Sequence, residues 1–173
     1  MSDLPFLDDH GGESLDDLLD LEHTYRIESL VFALDAALNR KLGVLGAGAL
    51  SRAELVLLIV HELECQVNNG GFDQYFFNSS REHAGEIEAA LRAIGCPLSA
   101  AIAQRAVNAL AIPGELTPDG ILTALAIGGE ELFEDLGSLT DEYYERTESI
   151  ADELFAFVKA NRATISLGVD GAG

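Results

Sequence analysis

The stretch SRAELVLLIVHELECQVNNGGFDQYFFN, residues 51–78, carries the strongest fold signals in this chain of 173 residues. Ser51 and Glu54 have the spacing of a capping box, which predicts the start of a helix. Residues 55–67 are apolar on most sides, so we expect this helix to be the most buried one. Residues 68–71 predict that it stops or bends there, because Asn and Gly tolerate left-handed backbone geometry.

Helical signals continue on both sides of this stretch, and no convincing strand pattern accompanies them. Apolar residues at i, i+3 and i+4 predict amphipathic helices, and Ser or Thr caps predict helix starts. These signals place helices at residues 14–19, 27–38, 87–94, 102–110, 117–125 and 132–136. A last helix is expected to start near Ser138 or Thr140 and to include Tyr143 and Leu154. The sequence thus predicts an all-α fold, a single-domain multi-helix bundle over residues 1–173, with residues 1–13 and 167–173 frayed.

The net charge of −20 is concentrated in two segments of the chain. Residues 3–22 contain eight acids and no Lys or Arg, and residues 115–153 contain twelve acids and one base, Arg146. The rest of the chain has ten acids and nine bases, so it is nearly neutral. This layout argues against direct binding of nucleic acid or anionic lipid, because phosphate groups are bound by clustered Lys and Arg. It favours a basic protein or metal cations as the partner.

Acids recur every three or four residues between 131 and 152, with a gap at Ser138, and apolar residues recur with the same period on another face. If this segment is helical, the acids form a row along one side and the apolar residues face the core. The acids near the N-terminus are expected to form a second patch. The predicted partner-binding surface consists of Asp16, Asp17, Asp20, Glu131, Glu134, Asp135, Asp141, Glu142, Glu145, Glu148 and Asp152.

Residues 68–78 form the most unusual local sequence, with four of the twelve aromatic residues between 72 and 77. The favoured interpretation is structural: the glycines allow a turn, and the rings fix the following helix onto the core. The alternative is a pocket of aromatic and amide side chains for a small ligand. His61, Glu64 and Cys65 share one helix face nearby, but Cys65 breaks the H-E-x-x-H zinc pattern. No metal and no cofactor are therefore predicted.

Other sequence motifs give no support to an enzyme. Residues 43–48 have glycines in the wrong order for a dinucleotide loop and no preceding strand, so a flexible connection is expected. No nucleophile elbow, P-loop or EF-hand calcium loop is present, and no catalytic residue is predicted. Cys65 and Cys96 match no zinc or redox motif, which predicts free thiols and a cytoplasmic location. The sequence has no apolar run of membrane-span length and no basic signal-peptide start.

The run from residue 62 to 78, followed by Ile-x-x-Ala-Leu-x-x-Ile-Gly at 87–95, resembles a bacterial DNA-mimic protein family of the neisserial type. The resemblance covers about residues 20–160. Its signature core is Asn69, Gly70, Gly71, Phe72, Asp73, Gln74, Tyr75 and Phe76. The resemblance implies an all-α fold, a homodimer, and an acidic surface that occupies the DNA-binding face of a transcription regulator. The signature residues are expected to be structural, since mimicry depends on surface acids outside them.

The leading hypothesis is a DNA-mimic protein that binds a basic DNA-binding protein, a transcription regulator by the resemblance, and blocks DNA binding. One alternative is a small enzyme or ligand-binding domain centred on residues 61–78. Another is an immunity-type inhibitor of a basic toxin.

Overall fold

The structure is a computed structural model, and it describes residues 4–8 and 12–168. These residues form eight α-helices and three short 3₁₀ turns, and no strand occurs among them. The helices are α1 (Leu15–Asp20), α2 (Ile27–Leu45), α3 (Arg52–Phe77), α4 (Ile87–Ala93), α5 (Pro97–Ala109), α6 (Pro118–Ile127), α7 (Gly129–Glu145) and α8 (Ile150–Ala160). The predicted all-α fold is confirmed.

Local sequence signals place several helix ends where they were expected. The Ser14 side chain accepts a hydrogen bond from the Asp17 amide, and the Asp17 carboxylate accepts one from the Ser14 amide, which is the predicted capping box of α1. The Thr117 hydroxyl accepts a hydrogen bond from the Gly120 amide at 3.1 Å at the start of α6. By contrast, helix α2 continues beyond the predicted residues 27–38 and through Gly43 to Leu45, so the flexible connection expected at residues 43–48 is wrong for residues 43–45. The next residue, Gly46, has a φ of 80°, a conformation that favours glycine.

The predicted start of a last helix at Ser138 or Thr140 is wrong. Helix α7 runs without interruption to Glu145, and the following helix begins only at Ile150. The hydroxyls of Ser138 and Thr140 donate hydrogen bonds to the carbonyls four residues earlier, at 3.0 and 2.8 Å. A Ser or Thr that bonds backward in this way sits inside a helix and does not cap a new one.

The contacts between Cα atoms divide the chain into two compact units, residues 1–61 with 149–173 and residues 62–148. In the first unit α2 packs against α1 and α8, and its buried side includes Leu30, Leu34 and Leu38. In the second unit α5 packs against α4 and α7, and α6 packs against α7. The expectation of a single domain over residues 1–173 stays a prediction.

The start of the chain makes defined contacts where it is described. The Arg26 amide donates a hydrogen bond to the Pro5 carbonyl at 2.9 Å, and the Leu7 amide donates to the Ser29 hydroxyl at 3.0 Å. The expected fraying at residues 1–3, 9–11 and 169–173 lies outside the described residues. Within residues 4–8 and 12–168, no helix combines the length and the apolar character needed to cross a membrane.

Candidate acidic interaction site

Helix α7 separates an apolar face from an acidic one. Leu132, Leu136, Leu139 and Tyr143 are buried and hold the helix against the second unit. At about 100° per residue, the acids of this helix cover an arc of about 140° on the opposite side. We call this set the α7 acidic face, and it consists of Glu130, Glu131, Glu134, Asp135, Asp141, Glu142 and Glu145.

The α7 acidic face is exposed and almost uncompensated. All seven residues are exposed, and only Glu142 has an ion pair, with Nη1 of Arg105 at 2.7 Å from both carboxylate oxygens. The other six carboxylates have no hydrogen bond or ion pair to the described part of the chain. Because this salt bridge is about half exposed at both ends, it neutralises little of the charge.

The other arginines of the second unit are engaged elsewhere. Arg81 donates to the backbone carbonyls of Phe77 and Asn78. Arg92 pairs with Glu88. Arg146 donates to both carboxylate oxygens of Glu64 at 2.8 and 2.9 Å. Since residues 62–148 contain these three arginines, Arg105 and no lysine, the chain supplies no further cation from this unit to the α7 acidic face.

The helix dipole of α7 stabilises the crowded carboxylates only in the first turn. Glu130 and Glu131 lie in the first turn, where the positive end of the helix dipole favours carboxylates. Glu145 lies in the last turn, where the dipole is unfavourable, and it follows Asp141 by four residues. Such like-charge pairs destabilise a helix by about 0.2–0.5 kcal/mol each. Burial of the apolar face therefore holds α7 together despite its acids.

The structure assigns Glu148 a different place from the other predicted surface acids. Its carboxylate accepts hydrogen bonds from the Leu98 amide, the Ser99 amide and the Ser99 hydroxyl at 2.6–2.8 Å, at the start of α5. Partial burial raises the pKa of Glu148, but these hydrogen bonds and the charge of Arg146 outweigh it, so the pKa lies below its ordinary value. Glu148 thus caps a helix within the protein.

The remaining predicted acids belong to the first unit. Asp16 pairs with Arg162 at 2.9 Å, and both side chains are mostly exposed. Asp17 closes the capping box, and its hydrogen bonds with Ser14 lower its pKa. Asp20 and Asp152 are exposed and have no partner in the described structure. Asp152 lies on α8, so the row of acids predicted over 131–152 is divided between two helices.

The signature segment contains a sharp kink in α3. Gly70 and Gly71 interrupt its helical geometry, and Gly71 has φ 83° and ψ −178°. A Cβ atom at Gly71 would lie 2.9 Å from Oδ1 of Asp73 and 3.0 Å from Oγ1 of Thr140. The amide of Phe72 donates a hydrogen bond to that same Thr140 hydroxyl at 3.0 Å. The predicted stop or bend at residues 68–71 is confirmed as a bend.

Three aromatic rings after the kink are buried in the second unit. Phe72, Tyr75 and Phe76 are at most 1% exposed. The Phe72 ring lies 5.5 Å from the Tyr143 ring of α7 in an edge-to-face contact, and Tyr75 and Phe76 make a similar contact at 5.3 Å. Burial raises the pKa of the Tyr75 hydroxyl above its ordinary range. These contacts support the structural interpretation of the segment.

Two polar side chains of this segment form hydrogen bonds with Gln66, which lies before the kink in α3. Gln74 and Asn78 both donate to Oε1 of Gln66, at 2.9 and 2.6 Å. Separately, in the first unit, Nδ1 of His61 lies 3.1 Å from Oδ1 of Asp35. Residues 4–8 and 12–168 contain no group of three or more His, Cys, Asp or Glu side chains arranged to hold a metal ion.

The sequence did not indicate a groove that borders the α7 acidic face. It has a volume of about 620 Å³ and lies between the chain following α5, one side of α6 and the first half of α7. Glu131 and Asp135 line it, together with largely apolar residues. Glu130 was also absent from the predicted surface, although its spacing of four residues from Glu134 could have indicated it.

The fold and this site together define a strongly acidic, all-α protein with an uncompensated carboxylate face. A model of the DMP19-like protein family matches residues 48–161. This match spans well over half of the chain, so the chain belongs to the DMP19-like protein family. Membership confirms the predicted family resemblance and suggests a DNA-mimic protein. Comparisons with curated proteins and with solved structures found no match.

Proposed function

We propose that this protein is a DNA mimic whose α7 acidic face binds the DNA-binding face of a basic protein, a transcription regulator, and blocks its binding to DNA. The observation that carries this proposal is the set of six exposed carboxylates without a partner on α7. Family membership supports the same class of function. By this proposal the protein is cytoplasmic, does not bind nucleic acid itself and has no catalytic role.

The charge spacing along α7 supports the comparison with DNA. The helix has 17 residues and seven acids, so at ~1.5 Å per residue it presents on average one carboxylate about every 3.6 Å along its axis, in two clusters separated by residues 136–140. One strand of B-DNA presents one phosphate every ~3.4 Å. A protein surface shaped to neutralise one DNA strand would thus meet a similar linear density of negative charge.

The second unit as a whole has the charge that such recognition needs. Residues 62–148 contain sixteen acids and four arginines, a net charge of −12. The electrostatic attraction of this net charge accelerates the encounter with a basic partner, and added salt screens that attraction. Binding by the proposed mechanism therefore weakens as the salt concentration rises.

The test begins with capture of partners from the native cytoplasm and their identification. The decisive measurement is displacement of the captured DNA-binding protein from its own DNA site, followed by fluorescence anisotropy. We compare the triple variant Glu134→Gln, Asp141→Asn and Glu145→Gln with the wild-type protein. Since each exposed charge pair contributes ~0.2–1 kcal/mol, the variant is expected to bind the partner about tenfold more weakly.

A second triple variant is the control for charge alone. Glu82→Gln, Glu115→Gln and Asp119→Asn remove the same charge from exposed positions of the same unit that lie outside α7. The control is expected to lose less than about threefold in affinity. Equal weakening by the two variants, with unchanged helix content, would show that the α7 acidic face has no special role. Capture of a basic nuclease toxin in place of a DNA-binding regulator would favour the immunity-type alternative.

The homodimer implied by the family resemblance is part of the proposal. Sedimentation equilibrium of the full chain measures it directly. A mass of twice 18.5 kDa supports the dimer, and a concentration-independent monomer contradicts it.

A further inference from the structure

The groove beside α7 has a composition suited to one kind of side chain. Its walls include Ala109, Ala124, Ile127 and Leu132, and Ile127 is 79% exposed although it is apolar. The charged residues among those lining it are both acids, Glu131 and Asp135, which lie one helical turn apart. A volume of about 620 Å³ is within the range of small-ligand sites, ~300–1,000 Å³.

We propose that this groove receives an arginine side chain of the basic partner. This inference rests on the proposed function and specifies what the acidic site recognises. The aliphatic stem of arginine packs on the apolar wall, while its guanidinium group reaches the carboxylates of Glu131 and Asp135. The planar guanidinium has five donors and is more weakly hydrated than the ammonium of lysine, so it is favoured where a cation leaves bulk water.

The same helix already binds an arginine of this chain. Arg105 places Nη1 2.7 Å from both carboxylate oxygens of Glu142, two turns beyond Asp135. Asp135 lines the large groove and also a smaller one of about 260 Å³ that contains Arg105 and Glu142. The smaller groove is thus lined by an arginine of this chain, and the larger one has carboxylates of the same kind with no cation from the described chain.

Because of the groove, the proposed binding depends on the shape of the partner as well as on its charge. An exposed row of carboxylates attracts any basic surface, whereas the apolar wall favours a partner that projects an arginine at this position. Filling the groove should therefore weaken binding without any change of charge.

The test is an NMR titration of the isotope-labelled full chain with N-acetyl-L-arginine methylamide. We expect saturable shifts of backbone amides in residues 109–112 and 120–128. Two changes should raise the dissociation constant about fivefold or more: Thr123→Phe, which fills the groove, and the near-isosteric pair Glu131→Gln with Asp135→Asn. Two matched controls should leave it within about twofold: Ala126→Phe on the same helix outside the groove, and Glu82→Gln with Glu115→Gln, which removes two exposed charges of the same unit outside α7.

Each other outcome overturns the inference. Equal weakening by the two carboxylate pairs would show attraction without a site. Tighter binding of the matching lysine or norleucine analogue would exclude arginine as the occupant. Shifts of the groove amides that depend on protein concentration alone would show that a second copy of the chain occupies it. If the arginine analogue does not bind but the DNA-displacement assay behaves as expected, the groove inference fails while the proposed function stands.

Discussion

Glu148 lies between α7 and α8, and its carboxylate accepts three hydrogen bonds at the start of α5. From sequence spacing alone, Glu148 was predicted to belong to the exposed row of acids. Its partners Leu98 and Ser99 lie about fifty residues earlier in the chain, so no local pattern indicates the contact. A carboxylate with this role contributes to folding stability, while the exposed acids of α7 remain available for a partner.

Replacement of Glu148 tests this role. The change Glu148→Ala should lower the free energy of unfolding by about 1 kcal/mol at neutral pH, because two amides at a helix start lose their acceptor. The folded-state pKa of Glu148 is lowered, so its contribution is present above the unfolded-state pKa and is lost as pH falls through the folded-state pKa. Urea unfolding over a pH series measures this contribution. The difference in the free energy of unfolding between wild type and Glu148→Ala should become smaller below about pH 4.3.

The neighbouring change Thr147→Ala is the control for Glu148→Ala. Thr147 is exposed and has no hydrogen bond within the described residues, so its loss should change stability by less than about 0.5 kcal/mol. A stability difference for Glu148→Ala that stays constant from neutral to acidic pH would contradict the capping role.

At the scale of single elements, α3 and α7 contain glycines with opposite consequences. Gly71 adopts φ 83° and ψ −178°, a region almost restricted to glycine. Gly137 lies inside α7 with no atom within 4 Å of an added Cβ. The first glycine is needed for the kink in α3, and the second only weakens a helix.

The two glycines therefore predict changes of opposite sign. Gly71→Ala should lower the free energy of unfolding by about 1–3 kcal/mol, because the backbone conformation is strained for any side chain. Gly137→Ala should raise it by about 0.5–1 kcal/mol, because alanine has the higher helix propensity. Urea unfolding of both variants measures the two values. A neutral Gly71→Ala would show that the kink is not required by the fold.

At the scale of the whole chain, one buried ion pair joins segments far apart in sequence. Nζ of Lys41 donates to both oxygens of Glu54 at 2.8 and 2.9 Å and to the carbonyl of Ser166 at 3.0 Å. Glu54 in turn accepts from the amides of Ser51 and Ser166 at 2.8 and 2.7 Å. Lys41 is 6% exposed and Glu54 is fully buried. The pair therefore fixes α2, the start of α3 and the chain after α8 to one another.

Removal of one partner of this pair should be severe. Lys41→Met leaves the Glu54 carboxylate buried without its cation and should lower the free energy of unfolding by about 3–5 kcal/mol. The adjacent change Arg40→Met removes an exposed charge and should alter stability by less than about 0.5 kcal/mol. Equilibrium unfolding in urea measures both. A loss below about 1 kcal/mol for Lys41→Met would mean that water reaches the carboxylate.

The helices, their caps and the bend at residues 68–71 could be predicted because each depends on neighbouring residues. The apolar period was also predicted correctly over residues 132–143, but its continuation to Leu154 within one helix was wrong, because residues 146–149 separate α7 from α8. The C-terminal end of α7 was placed too early, because the sequence around Thr140 resembles the start of a new helix. In the structure the Thr140 hydroxyl bonds backward to the Leu136 carbonyl and accepts from the Phe72 amide. That second partner lies sixty-eight residues earlier in the chain, so sequence spacing could not reveal it.

The sequence by itself determined the all-α class, the acidic segments and the family, since composition, periodicity and signature are local properties. Only the tertiary structure decided which carboxylates remain exposed and which are used within the fold. It also created the groove beside Glu131 and Asp135, because its walls come from α5, α6 and α7. The physical reason is the same in each case: the surroundings of a charge depend on residues distant in sequence, and these meet only when the helices pack.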